Sequence, residues 1–349
     1  MRCFVSILAV LLLSALFGSA AAGAQSVGSG RASVWFAPDN DTEDLLDMFR
    51  KPDLWASSRA LINVFEFGPA QVRGQNQPAV NSLAALQSVG AFQKLQSWGI
   101  DVALEAPAVK EWDCTAVKAR EVTASYIRSV ANAGGSVRYI AMDEPLASGL
   151  SRCNLSMDDV ARETAAYIRS FSGNGPQVGD IEAYPSRSVA DLEGWIKALE
   201  NQGAKPAFFH LDANIHRLDV DRRVDATGDL RELKRFFLAE QIPFGIIFWP
   251  GYNPVTSEQN YYERTMSWVR RVEAAIGRPD HVIFQSWVVR GGQNTCSNTD
   301  PRCNMQNPMC TPSDPASCGK KSVPVNLPDN DPGVFSHTRL IVDALKILR

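Results

Sequence analysis

Residues 137–183 read VRYIAMDEPLASGLSRCNLSMDDVARETAAYIRSFSGNGPQVGDIEA. The run 137–143 is short, apolar and rich in β-branched and aromatic residues, which favours strand. Residues 158–171 then repeat apolar side chains at helical spacing. Gly175-Pro176 ends that helix, and 177–183 (QVGDIEA) reads as a second strand. A strand, a helix and a second strand at this spacing form one βα unit with a parallel partner.

The unit repeats in both directions. Strand-like runs occur at 33–37 (SVWFA), 61–67 (LINVFEF), 100–106 (IDVALEA), 206–212 (PAFFHLD), 243–249 (PFGIIFW) and 281–287 (HVIFQSW). Amphipathic helical segments fall at 115–131, 188–201, 228–240 and 258–276. Eight strands alternating with helices predict an α/β fold with a parallel sheet closed into a (β/α)₈ TIM barrel. An open doubly wound sheet is the rival. It usually carries a glycine-rich phosphate loop after its first strand. Here that strand runs into Ala37-Pro38-Asp39-Asn40, which is no such loop.

The ends read differently. Arg2, the apolar run 4–17 and the small residues Ala22-Gly23-Ala24 have the order of a secretory signal peptide over 1–24. The mature chain, 25–349, is expected to be one exported barrel domain, periplasmic or extracellular. Six cysteines remain in it: Cys114, Cys153, Cys296, Cys303, Cys310 and Cys318. An even number in an exported chain reads as disulfides. Cys114 follows the third strand and Cys153 the fourth. Adjacent loops on one rim can meet, so these two are paired. The other four lie in a Cys-, Pro- and Asn-rich loop, 289–328, which two further disulfides are expected to staple; three pairings stay open. Residues 332–348 are expected to form a closing helix.

Net charge is −3 and the charges are mixed, so no basic stripe marks nucleic acid as a partner. No stretch beyond the signal suits a membrane span. The four histidines, His210, His216, His281 and His337, form no HExxH or HxH pair, and no G-x-S-x-G occurs. Nothing calls for a metal or a cofactor. The sequence leaves the oligomeric state open.

Barrel enzymes place their chemistry at the C-terminal ends of the strands. Those ends carry Glu66, Glu105, Asp143-Glu144, Asp180 with Glu182, and His210 with Asp212 on strands two to six. Strands seven and eight bring Trp249, Tyr252, Gln285 and Trp287. Ionised carboxylates are costly in a barrel interior, so acids at five successive strand ends need a reason. Each alone can cap a helix or pair with a base. The basic residues just beyond are few: Arg73, Lys110 and Arg187. Two clustered carboxylates of unequal pKa are what glycoside hydrolysis requires, and aromatic rings on the same rim suit sugar faces.

The motifs YIAMDEP at 139–145 and VGDIEAYP at 178–185, with aromatic ends on strands seven and eight, resemble the (β/α)₈ glycoside hydrolases. The resemblance implies a proton donor at the end of strand four, which falls on Glu144. Asp143 precedes it, and in a regular strand only one of the two faces the rim centre. The largest clan of these enzymes carries a nucleophile on strand seven. Strand seven here reads GIIFWPG, without an acid, so that clan is not assigned. Glu182 is taken as the second carboxylate, with Asp212 next. Asp180 shares the parity of Glu182 and lies deeper, as an orienting group. Glu66, Glu105, Asp180, Tyr184, His210, Trp249, Tyr252, Gln285 and Trp287 are the substrate-binding candidates.

The expectation is therefore an exported glycosidase acting on a polysaccharide or oligosaccharide. Two other readings stand beside it. One is a barrel that binds carbohydrate without catalysis. The other is a Mg²⁺-dependent lyase built on Glu105, Asp143 or Glu144, and Glu182. That chemistry also needs a Lys or His base, and His210 is the one placed for it. In an exporting host the intact mass is expected to begin at Gln25 with all six remaining cysteines oxidised. A mass that retains 1–24, or free thiols on alkylation, would contradict the reading of the ends.

Overall fold

A computed structural model describes residues 32–39, 42–73, 81–221, 223–251, 255–289 and 322–348. The signal segment, Tyr252 and the four cysteines at 296, 303, 310 and 318 lie outside the described residues.

Eight strands form: β1 Ser33–Ala37, β2 Val64–Phe67, β3 Asp101–Ala106, β4 Val137–Asp143, β5 Gln177–Tyr184, β6 Phe209–Ala213, β7 Phe244–Phe248 and β8 His281–Gln285. Each pairs in parallel with the next, and β1 also pairs with β8, so the sheet closes in sequence order. Trp35 shows the closure directly, lying opposite Val64 on one side and Ile283 on the other. The protein is a TIM barrel.

Alternation of side chains sorts the strands into two layers. Trp35, Val64, Ala103, Ala141, Ile181, Phe208, Ile247, Trp249 and Ile283 fill the interior. The other parity, including Phe36, Phe65, Leu104, Ile140, Phe209 and Phe248, packs under the helices. Both layers are apolar, which is why these strands read as near-continuous hydrophobic runs.

Helix starts follow local capping chemistry. Ser188 accepts from the Asp191 amide at 3.1 Å and opens the helix Val189–Asn201. Asp225 accepts from Gly228 at 3.0 Å and opens Ala226–Ala239, two residues before the expected start. Ser336 accepts from Arg339 at 3.1 Å and opens His337–Ile347, so the closing helix is shorter than 332–348. It packs against Glu258–Ile276 and Ala56–Arg59. The strand expected over 61–67 begins only at Val64. Residues 61–63 turn instead, and the Asn63 carboxamide oxygen accepts from the Val34 amide at 2.9 Å.

The described end of the long loop has some regular structure. Ser322–Val323 pairs antiparallel with Val288–Val289. The Asp44 carboxylate then accepts from the Asn326 and Leu327 amides, at 2.9 and 2.8 Å to one oxygen. This ties the return of the loop to the first helical turns. Cys114 and Cys153 form a disulfide, as paired from the sequence.

That disulfide closes a span of 39 residues. In the chain-entropy account a loop of this size contributes about 4 kcal/mol. A Cys114→Ala/Cys153→Ala double variant is expected to lose about that much stability in urea unfolding with the slope little changed. A loss below about 1 kcal/mol would contradict the tether's role.

Candidate active site

At the C-terminal mouth of the barrel lies a cavity of about 210 Å³. Ile181 and Ile247 belong to both the interior layer and its wall. The polar wall is Glu105, Asp143, Glu144, Asp212 and Gln285, with Trp287 beside them. Alternation accounts for most of this set. Glu105 stands two residues beyond Ala103, Asp143 two beyond Ala141, and Gln285 two beyond Ile283, each on the inward face of its strand.

Glu144 does not follow by alternation. Its backbone is left-handed, with φ 46° and ψ 54°. For a residue with a Cβ this costs roughly 1–2 kcal/mol. The turn breaks the strand's period, so Asp143 and Glu144 both reach the cavity. Pro145 follows and starts the short helix Pro145–Ser151, which the sequence did not announce. The Glu144 amide donates to the Ile181 carbonyl at 3.1 Å, holding the turn against β5.

Glu182 holds the same turn from outside. Its Oε1 accepts from the Leu146 amide at 2.5 Å and its Oε2 from the Ala147 amide at 3.1 Å. It satisfies the exposed donors of the helix start and faces the helix layer, away from the cavity wall. The reason is parity: Gly179, Ile181 and Ala183 alternate with Asp180, Glu182 and Tyr184, and Ile181 points inward. Asp180 therefore accepts from the Trp195 indole at 2.7 Å, and the Tyr184 hydroxyl donates to Asp229 at 2.6 Å. None of these three lines the cavity. Glu182 thus holds the backbone that follows Glu144.

His210 is likewise off the cavity. It packs inside the barrel against Trp35 and shares a 2.9 Å hydrogen bond with His281. Burial pushes His210 well below its usual pKa and His281 down to about 4. Neither ring lines the cavity, so His210 is not placed to serve as the base expected for the lyase reading. Glu66 is buried, and neither of its oxygens has a hydrogen-bond partner among the described residues. Burial, and then the nearby Glu105, push its carboxyl well up, which favours the neutral acid. Trp249 is buried rather than exposed for stacking. Its indole donates to Asp212 at 2.6 Å, and its ring lies 4.5 Å from that of Trp287.

Lys110 was noted in the sequence only as a nearby base. Its ammonium sits 2.7 Å from the Asp143 carboxylate. Four residues past β3, a lysine at a barrel rim was the signal available. Burial works against its charge, yet Asp143, Glu144 and Glu105 hold its pKa above the usual value. Glu144 is pushed up by burial and then by the Asp143 charge, with Lys110 and Arg187 opposing. Glu105 rises from 4.5 to about 7 through burial and the same charge, although Gln285 donates to it at 2.5 Å. Asp212 is pushed well up by burial and by Glu144. Asp143 is thus the ion-paired carboxylate, and its three neighbours all favour the protonated form. Among the described residues no three His, Cys, Asp or Glu side chains group as metal ligands.

No family model matches the chain, and no curated protein matches it in sequence. Solved structures share its architecture distantly. A tryptophan synthase from M. tuberculosis is 14% identical, with 73% of this chain and 83% of that one covered and a TM-score of 0.37. A glucosidase from Croceicoccus marinus is 12% identical, with 71% and 57% covered and a TM-score of 0.45. A phospho-2-dehydro-3-deoxyheptonate aldolase from Thermotoga maritima is 11% identical, with 74% and 60% covered and a TM-score of 0.41. Likeness at this level does not bear on the activity.

The raised acids set a direction for stability with pH. Unfolded, Glu105 loses its proton near 4.5; folded, it keeps it to about 7. Asp180 behaves alike between 3.8 and about 8. Across that window the folded state binds more protons, so these groups lower stability as pH rises. The urea midpoint is expected to fall between about pH 4.5 and 7, and the fall to be shallower in Glu105→Gln. A midpoint that rises over this range, or a slope unchanged by the substitution, would contradict the assignment.

Proposed function

We propose that the mature chain is an exported glycoside hydrolase in which Glu144 is the general acid and Asp143 the ionised partner. The observation that carries this reading is the pairing of two adjacent carboxyls on one cavity in opposite environments. Asp143 has an ammonium at 2.7 Å. Glu144 has a pKa raised by burial and then by Asp143 itself. Glycosidic cleavage needs this division: a neutral acid to protonate the leaving oxygen, and a carboxylate facing the positive charge that grows on the sugar ring. Glu182, first taken as the second carboxylate, gives that role to Asp143.

The remaining wall suits a sugar. Trp287 offers a ring face, and Gln285, Glu105 and Asp212 offer groups to bond hydroxyls. Asp212 is held by Trp249, so it is positioned for that task.

Lys110 supports one second reading, a lyase in which a cation stabilises an enolate. Its ammonium is paired and its pKa raised, so it acts as a fixed charge and is poorly suited as a base or a Schiff-base amine. Hydrolysis in isotopically labelled water separates the two: a hydrolase places label in the new reducing end, and a lyase yields an unlabelled unsaturated product.

On whichever glycan the protein cleaves, Glu144→Gln is expected to lower kcat by about 10²- to 10⁴-fold with folding kept. Asp143→Asn should cost a similar factor. Retained activity in Glu144→Gln would remove the acid from the mechanism. A folded parent that binds glycans and releases no product would make the barrel a carbohydrate-binding protein.

A further inference from the structure

We propose that a groove beside the cavity binds a further sugar unit of a neutral oligosaccharide, stacked on Trp112. The inference rests on the glycosidase reading of the cavity and extends it to the substrate's length.

The groove holds about 630 Å³ and is lined in part by Trp112, Tyr126, Arg73, Glu111, Lys110 and Asp143. Asp143 lines the cavity too, so the Lys110–Asp143 ion pair forms the sill between the two spaces. A chain seated at Glu144 that continues across that sill runs on into the groove that Trp112 lines, beyond the span of a disaccharide held in the cavity.

Trp112 is 49% exposed. A single exposed aromatic is ordinary on a protein surface. The backbone that carries this one is anchored. It sits in the turn 110–113, where the Asp113 amide donates to the Lys110 carbonyl at 2.8 Å. Asp113 in turn accepts from the Ala119 amide at 2.8 Å and from the Thr115 hydroxyl at 2.9 Å. The next residue is Cys114, bonded to Cys153. An uncovered indole on an anchored turn spares the backbone ordering cost when a ring settles on it.

The groove's chemistry selects the occupant. An aromatic face with a few polar groups around it suits a ring that is apolar on its C–H face and hydroxylated at its edge. Arg73 and Lys110 are balanced by Glu111 and Asp143. With no net charge on these groups, the groove favours a neutral glycan over a uronate or a sulfated chain.

The test uses the full mature protein carrying Glu144→Gln, so that probes survive. Isothermal titration is run with cellohexaose, xylohexaose, mannohexaose and laminarihexaose, and with the matching disaccharides. The parent is expected to bind one hexasaccharide more tightly than its disaccharide. Adding Trp112→Ala should weaken the hexasaccharide by about tenfold or more and erase the length preference. Adding Trp112→Phe should keep most of it, which a merely structural role would not distinguish from alanine. Circular dichroism checks the fold of each variant. A Trp112→Ala protein that binds the hexasaccharide like its parent, or a parent without length preference, overturns the inference and leaves the cavity reading standing. A folded parent that binds none of the probes defeats the inference. Absence of glycan cleavage by the wild-type protein defeats the cavity reading itself.

Discussion

A closed parallel barrel gives each strand side chain one of two destinations. One is a shared interior; the other is the seam under the helices. That constraint decides the chemistry of this protein. On β3, β4, β6 and β8 it sends Glu105, Asp143, Asp212 and Gln285 to one mouth. On β5 it sends Asp180, Glu182 and Tyr184 outward. Glu144 breaks the constraint. Its left-handed backbone adds a second carboxyl to the cavity from the same strand. Glu182 and the Ile181 carbonyl hold that break in place.

The cavity's electrostatics follow from this crowding. Four carboxyls share a small space, and Lys110 is paired with only one of them. Like charges at short range cannot all ionise cheaply, so protons remain on the others. Burial raises the Glu144 and Glu105 pKa values first, and the Asp143 charge raises them further. Removing the Asp143 charge is therefore expected to lower the Glu144 pKa.

The barrel was legible because eight short apolar runs and the helices between them repeat along the chain. The Cys114–Cys153 pair followed from strand order alone. The helix starts expected at 188 and 228 fall within two residues of those observed. The site was legible only in part. Glu105, Asp143, Glu144, Asp212, Gln285 and Trp287 do meet at the cavity. Glu182 was misplaced because a strand with apolar residues on both faces does not show which parity is inward. Ile181, beside Gly179 and Ala183, takes the interior. His210 had the inward parity but lies too deep, beside His281. Lys110 and Trp112 lie in a loop, where no period exists to aim a side chain. The turn that joins Asp143 to Glu144 is a backbone property with no residue signature, since glutamate rarely adopts it.

The central claim is that burial, and then the Asp143 charge, raise the pKa of Glu144. Carbon-detected NMR titration of the side-chain carboxyls measures this directly, with Glu144 assigned by its loss in Glu144→Gln. The account predicts that Glu144 titrates above the ordinary glutamate range and moves down when Asp143→Asn removes the neighbouring charge. A Glu144 carboxyl that titrates in the ordinary range, or one indifferent to Asp143→Asn, would contradict it.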